Sequence, residues 1–267
     1  MPPTLITILT NTSTEFTAAE WQTRVNLAAC YRLVSHYGMT DLVYNHITAR
    51  IPGTDSGNGD HLLINGYGFL YDEITASNLV KIDIDGNTMH NPNAGGALNY
   101  GINAAGYVIH SAVHAARHDV QCVIHVHTRA SMAVSAMECG LLPITQTAMR
   151  FKDIAYHDYE GVAIDLGERQ RLVADLGQSS EMILRNHGLL VTGASVAQAF
   201  NSLYWLEMAC KAQVDAMAAN TPLRTPPPDV LEKTNHLYKP HVRRPHGEME
   251  WPAMLRLLDK KDPGYKT

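Results

Sequence analysis

No stretch of this 267-residue chain comes near the roughly 18 consecutive apolar residues that a membrane-crossing helix requires, so no membrane partner is expected. Cysteine is scarce. Cys30, Cys122, Cys139 and Cys210 are widely spaced and form no C-x-x-C pair, which reads as reduced, mostly buried thiols. Excess positive charge is absent too: 21 Lys and Arg stand against 26 Asp and Glu, and a net charge of −5 offers no general attraction for nucleic acid or an anionic lipid surface. The opening "MPPTLITILTNTSTEF" lacks a basic region and a long apolar core, so it does not read as a signal peptide, and a reducing cytoplasm is the expected compartment. There is no internal repeat. With 45% hydrophobic and 18% charged residues, the chain has the composition of a globular protein able to bury a substantial core.

What is present is a mixture of helical and extended patterns. In "FTAAEWQTRVNLAACYRLVSHYG", Thr17 and Glu20 have capping-box spacing, Val25, Leu27, Ala28, Tyr31, Leu33 and Val34 recur at helical intervals, and Gly38 supplies a stop. Strand-like pieces follow in "YNHITARIP", "HLLING" and "LVKIDIDGN". A helix is expected over about 103–117, a strand over 120–127, a helix near 130–139, an extended piece in "DIAYHDYEGVAID" and a helix over 167–178. "EMILRNHGLLVTG" reads as strand, turn at Asn186-His187-Gly188, strand, before a long helix that is apolar around most of its circumference. Without regular βαβ alternation, the order predicts an α/β sandwich with a mixed, largely antiparallel sheet. Residues 1–220 are assigned to that domain, and "TPLRTPPPD" opens a proline-containing linker and tail, 221–267, expected to pack on the body or on a neighbouring subunit.

Histidine is the unusual abundance, at 14 residues. In "CVIHVHT" an extended backbone sends His125 and His127 to one face and Cys122, Ile124 and Val126 to the other. Such a pair can chelate one metal ion, or simply face solvent, and a third ligand must come from elsewhere. His187, at a turn tip between apolar strands, is the candidate. His110, His114 and His118 form a stripe on the preceding helix at i, i+4 and i+8, read as structural, with His110 nearest the site.

Together, "AGYVIHSAVHAARHDVQCVIHVHT", "ILRNHGLLVTG", "YNHITAR" and "GFLYDEITASNLVKIDIDGN" resemble the class II aldolase/adducin family. The resemblance implies a three-layer α/β/α sandwich, a homotetramer with sites between subunits, and a divalent metal held by His125, His127 and His187. Zinc is the first expectation, with iron, manganese or cobalt as alternatives. A metal there would act as a Lewis acid on a small-molecule substrate.

The departures from the family's pattern point away from its sugar-phosphate aldolases. Their catalytic Glu, four positions before the first helical histidine, is matched here by Gly106, and the serines that help hold phosphate by Ala104 and Ala105. Glu73 belongs to a different motif and does not substitute for that acid. Tyr67 precedes Gly68 where a Thr-Gly phosphate loop is expected, and His46 stands in place of a signature Asn. The sequence is closer to the adducin-like branch. His157 and Tyr159 are the candidate replacements for the missing acid/base, and Arg150 and Lys152 are possible partners for a substrate carboxylate. The expected activity is a metal-dependent lyase working on a carbon–carbon bond next to a carbonyl, by retro-aldol reaction or decarboxylation, on a non-phosphorylated oxo- or hydroxy-acid. The alternatives are a non-heme iron oxygenase on the same histidines and a non-catalytic adducin-like binding module.

Overall fold

The computed structural model describes residues 16–53, 59–97, 99–161, 166–242 and 244–267. The expectation about the N-terminal segment, and part of that for "DIAYHDYEGVAID", fall outside them.

Helix α1 (Ala18–His36) begins where Thr17 Oγ1 accepts from Glu20 N at 3.1 Å. The Glu20 carboxylate does not reach back to complete the box, because it accepts from Arg24 and, at 2.9 Å, from Lys81. At the other end Gly38, with φ +65, turns the chain out of the helix while Met39 N donates to Val34 O. Strands β1 (His46–Arg50), β2 (His61–Ile64), β3 (Val80–Asp83) and β4 (Thr88–His90) form an antiparallel meander. Helix α2 (Ala104–Ala116), capped by Asn103, leads into β5 (Cys122–Val126) and α3 (Arg129–Ser135). The single turn α4 (Gln146–Met149), β6 (Ala155–His157) and α5 (Leu166–Leu176) precede the hairpin β7 (Glu181–Leu184) and β8 (Gly188–Gly193). The long α6 (Val196–Ala218) follows, then α7 (Pro228–Leu237) and α8 (Glu250–Lys261).

The eight strands make one sheet in the order β4-β3-β2-β1-β5-β8-β7-β6, in which only β6 and β7 pair in parallel. Alternation along β5 decides the layers. Cys122, Ile124 and Val126 pack with Leu27, Leu203 and Leu206 of α1 and α6, while Val123 packs with Ile109 and Val113 of α2 and Leu172 of α5. Helices therefore cover both faces, and the three-layer α/β/α sandwich is observed. His125, on the same side as Val123, faces the α2 layer.

The last residues lie on the body of the same chain. Trp251 is buried against Phe200 and donates to Asn26 Oδ1 at 3.2 Å, Arg32 pairs with Asp262, and Ala76 N donates to the carbonyl of the fully buried Tyr265.

Candidate metal centre

His125 sits near the end of a strand buried on both faces, and His127 lies just past it, so the alternation that fills the core with Ile124 and Val126 also fixes where the two imidazoles point. The third comes from the β7–β8 turn. Asn186 takes a left-handed conformation, φ 54, while His187 N donates to Leu184 O at 3.1 Å and to Ser135 Oγ at 3.2 Å. At Gly188 a Cβ would lie 2.3 Å from Val126 O, so only glycine lets the turn approach the end of β5 this closely. The ligand atoms of His125, His127 and His187 all fall within 4.8 Å of one another.

Hydrogen bonding on the far side of two rings fixes their tautomers. A carbonyl oxygen can only accept, so His125 Nδ1, 2.9 Å from Leu189 O, carries the proton and donates it. His127 Nδ1 donates in the same way to Asp41 Oδ2 at 3.1 Å. In the neutral rings both Nε2 atoms are then bare lone pairs, yet they stand 2.6 Å apart, with His187 Nε2 2.9 Å from that of His127. Lone pairs repel at such distances, and a cation among them removes the conflict; the donor set fits a divalent metal. Burial, followed by the neighbouring His127, holds His125 well below the usual histidine range, and the same two causes push His187 down to about 4. Neutral imidazole is the form that ligates metal.

Asp41 was not visible as a site residue in the sequence, since nothing in its spacing sets it apart. The loop that carries it includes Leu42 at φ 47, a strained conformation next to the residue that orients His127.

A second group of histidines stands behind the first. His46 on β1 is directly opposite His125 in the sheet register, and its Nδ1 lies 2.9 Å from His110 Nε2. His110 Nδ1 and His114 Nε2 each lie 2.8 Å from Thr48 Oγ1. All three rings are buried, and burial is the first cause lowering each pKa, with His114 reaching about 3. A hydroxyl has one proton, so Thr48 can donate to only one of His110 and His114, and at least one of the two rings must donate to it. His110 thus stands behind His46. His118, 79% exposed, takes no part.

His46 Nε2 points at Gly106. A Cβ there would lie 1.8 Å from it, so the ring occupies the path that a side chain at position 106 would take. His46, Tyr67 and the three convergent histidines line a cavity of about 480 Å³, with Tyr44 and the 53%-exposed Tyr159 also on its wall. His157 does not line it. That ring is held at the sheet edge by Asp175 Oδ2 at 2.7 Å, with Glu168 3.8 Å away. Arg150 and Lys152 are also away from this cavity; Lys152 pairs with Glu232, and Arg150 lies among aromatic rings below the C-terminal segment.

Fold and site together define an α/β/α protein with a three-imidazole centre at the ends of its central strands. The chain belongs to the class II aldolase and adducin family, since the model for the "Class II Aldolase and Adducin N-terminal domain" matches residues 25–214. A Pseudomonas aeruginosa protein provisionally named as an aldolase class 2 protein is 46% identical over 257 residues, covering 94% of this chain and 95% of that one. An aldolase II superfamily protein from Pseudomonas syringae, of known crystal structure, superposes with a TM-score of 0.86 at 49% identity, covering 95% of this chain and 98% of that one. Alpha-adducin of Mus musculus is 40% identical over 260 residues, 91% of this chain, although these span only 34% of the adducin.

Proposed function

We propose that the protein is a metal-dependent lyase acting on a carbon–carbon bond next to a carbonyl, by retro-aldol cleavage or decarboxylation, of a non-phosphorylated oxo- or hydroxy-acid. The observation that carries this reading is the convergence of three Nε2 atoms in a cavity of about 480 Å³, two of them set as lone pairs by Leu189 O and Asp41. His125, His127 and His187 would hold the ion, with zinc first and iron, manganese or cobalt as alternatives. When bound, such an ion supplies a Lewis acid that stabilises negative charge developing beside a carbonyl. Family membership supports a lyase-like activity of this kind.

The chain's own residues supply the rest. His46 Nε2 faces the cavity, and its ring is held from behind by His110 and, through it, Thr48. Tyr159 offers a second hydroxyl at the rim, where it could meet a substrate, whereas His157 is outside reach. Tyr67 takes the place of a small hydroxyl on the wall, and Gly106 offers no side chain, which disfavours a phosphorylated substrate. Exposed Leu42, Tyr44 and Met132 near the site are the kind of surface a neighbouring subunit would cover, as in the homotetramer that the family resemblance implies.

A second reading, an adducin-like binding module, is favoured by one observation: the His46 ring fills the space beside Gly106. The test is metal analysis of protein purified without chelators, joined to a turnover screen of oxo- and hydroxy-acids. About one zinc per chain with turnover lost in His127→Ala supports the lyase. Bound metal without turnover favours the module, and iron with substrate-dependent oxygen uptake favours the oxygenase.

A further inference from the structure

Arg150 stands between two adjoining cavities, of about 460 and 270 Å³, which share Arg150, Tyr238 and His246 and have no lining residue in common with the three-histidine cavity. Its guanidinium lies 4.9 Å from the centre of the Tyr238 ring and 5.7 Å from that of Trp205, and Asn235 Nδ2 pins its backbone carbonyl at 3.1 Å. The cation is thus fixed in place, yet its donors are largely unspent. Among the described residues its side chain makes one hydrogen bond, to Asn201 Oδ1 at a long 3.4 Å, and no carboxylate lies within ion-pair distance. A guanidinium carries five N–H donors, and a partly buried one without a carboxylate is unusual.

We propose that the cavities flanking Arg150 form a second ligand site, one that takes a small hydroxylated organic carboxylate. The planar fork of Arg150 matches a carboxylate edge in bidentate fashion. Thr192, Gln198 and Ser202 line the larger cavity and offer hydroxyl and amide partners for the ligand's own hydroxyls. Glu181 faces the same space and receives a hydrogen bond from Ser202 Oγ; burial raises its pKa, against the opposing effects of that hydrogen bond and of the Arg150 and Lys239 charges. Inorganic phosphate is a compact tetrahedral anion without a hydroxylated carbon chain, so it would engage Arg150 without reaching Thr192, Gln198 and Ser202 as well. The combined volume suits a metabolite-sized ligand.

The experiment is calorimetric titration of the full chain with L-malate, tartrate and gluconate at millimolar concentrations, with phosphate as comparison. It is run on the wild type and on His127→Ala, Arg150→Gln and Gln198→Glu. Gln198 is the third residue of α6, where Ser195 Oγ already caps its N–H, so a glutamate there completes a capping box and keeps the helix intact while placing a negative charge in the cavity. The expected result is that at least one carboxylate binds more tightly than phosphate, that His127→Ala retains this binding, and that Arg150→Gln and Gln198→Glu each weaken it about tenfold or more. Unchanged affinity in either cavity variant, loss of binding in His127→Ala, binding of phosphate at least as tight, or no binding of any of the three carboxylates would overturn the proposal.

Discussion

A Cβ on Gly106 and the Nε2 of His46 would be 1.8 Å apart, so the ring on β1 and any side chain at position 106 exclude one another. In an ordinary helix Gly→Ala stabilises by about 1 kcal/mol. Here Gly106→Ala is expected to destabilise by about 2 kcal/mol, because His46 is packed against His110 and cannot withdraw freely. Combining Gly106→Ala with His46→Asn should recover about 1 kcal/mol or more relative to additivity. A urea-denaturation double-mutant cycle measures this, and additive effects would show that the contact is not felt.

The convergent histidines give a residue-by-residue expectation. His125→Ala, His127→Ala and His187→Ala should each abolish stoichiometric metal binding, whereas His118→Ala, at an exposed position, should leave it intact. Mass spectrometric metal analysis reads the result directly. Full metal content in both His125→Ala and His187→Ala would refute the three-imidazole centre.

Asp41 lies on the wall of the three-histidine cavity and orients His127 through Nδ1. Asp41→Asn should weaken metal affinity by about 10- to 100-fold while the three ligands remain. Competition against a chelating dye measures the change, and an unaltered dissociation constant would mean that the carboxylate does not hold the ring.

Protonation provides a stability test. His114 falls from 6.5 to about 3 in the folded chain, chiefly through burial and secondarily through the Arg50 charge, so below pH 6.5 the unfolded chain binds a proton that the folded one does not. Stability should therefore fall as pH drops from about 6.5 toward 3, with a slope of up to about 1.4 kcal/mol per pH unit for this group. His114→Gln should remove about one proton's worth of that slope. Urea titrations of metal-stripped protein at pH 7.5 and 5.5 check it, and equal slopes in the two proteins would assign the acid sensitivity elsewhere.

Much of the fold was legible because its signals are local. Thr17, Gly38, the alternation in "CVIHVHT" and the turn at Asn186 each act over a few residues, and each appears where the pattern places it. The layers were legible only through the resemblance, since which helix covers which face is settled by packing across the sheet. The convergence of His125, His127 and His187 was likewise anticipated. Asp41 and the position of His46 were not, because the first depends on a loop folding over β5 and the second on the register of β1 against β5. Register also explains His157: a three-residue strand at the far edge carries it away from the centre, although Tyr159, two residues on, reaches the cavity wall.

The β5–β8 ladder, which carries His125 and, through its hairpin turn, His187, is built from backbone hydrogen bonds and an apolar core that do not require an ion. The centre is consequently a socket made by folding, unlike small zinc modules whose chains fold around their metal. One ion could leave and another enter with the scaffold intact. Because imidazole accepts several first-row cations, the identity of an ion held in such a socket would depend on the supply of metal around the protein as well as on its three donors.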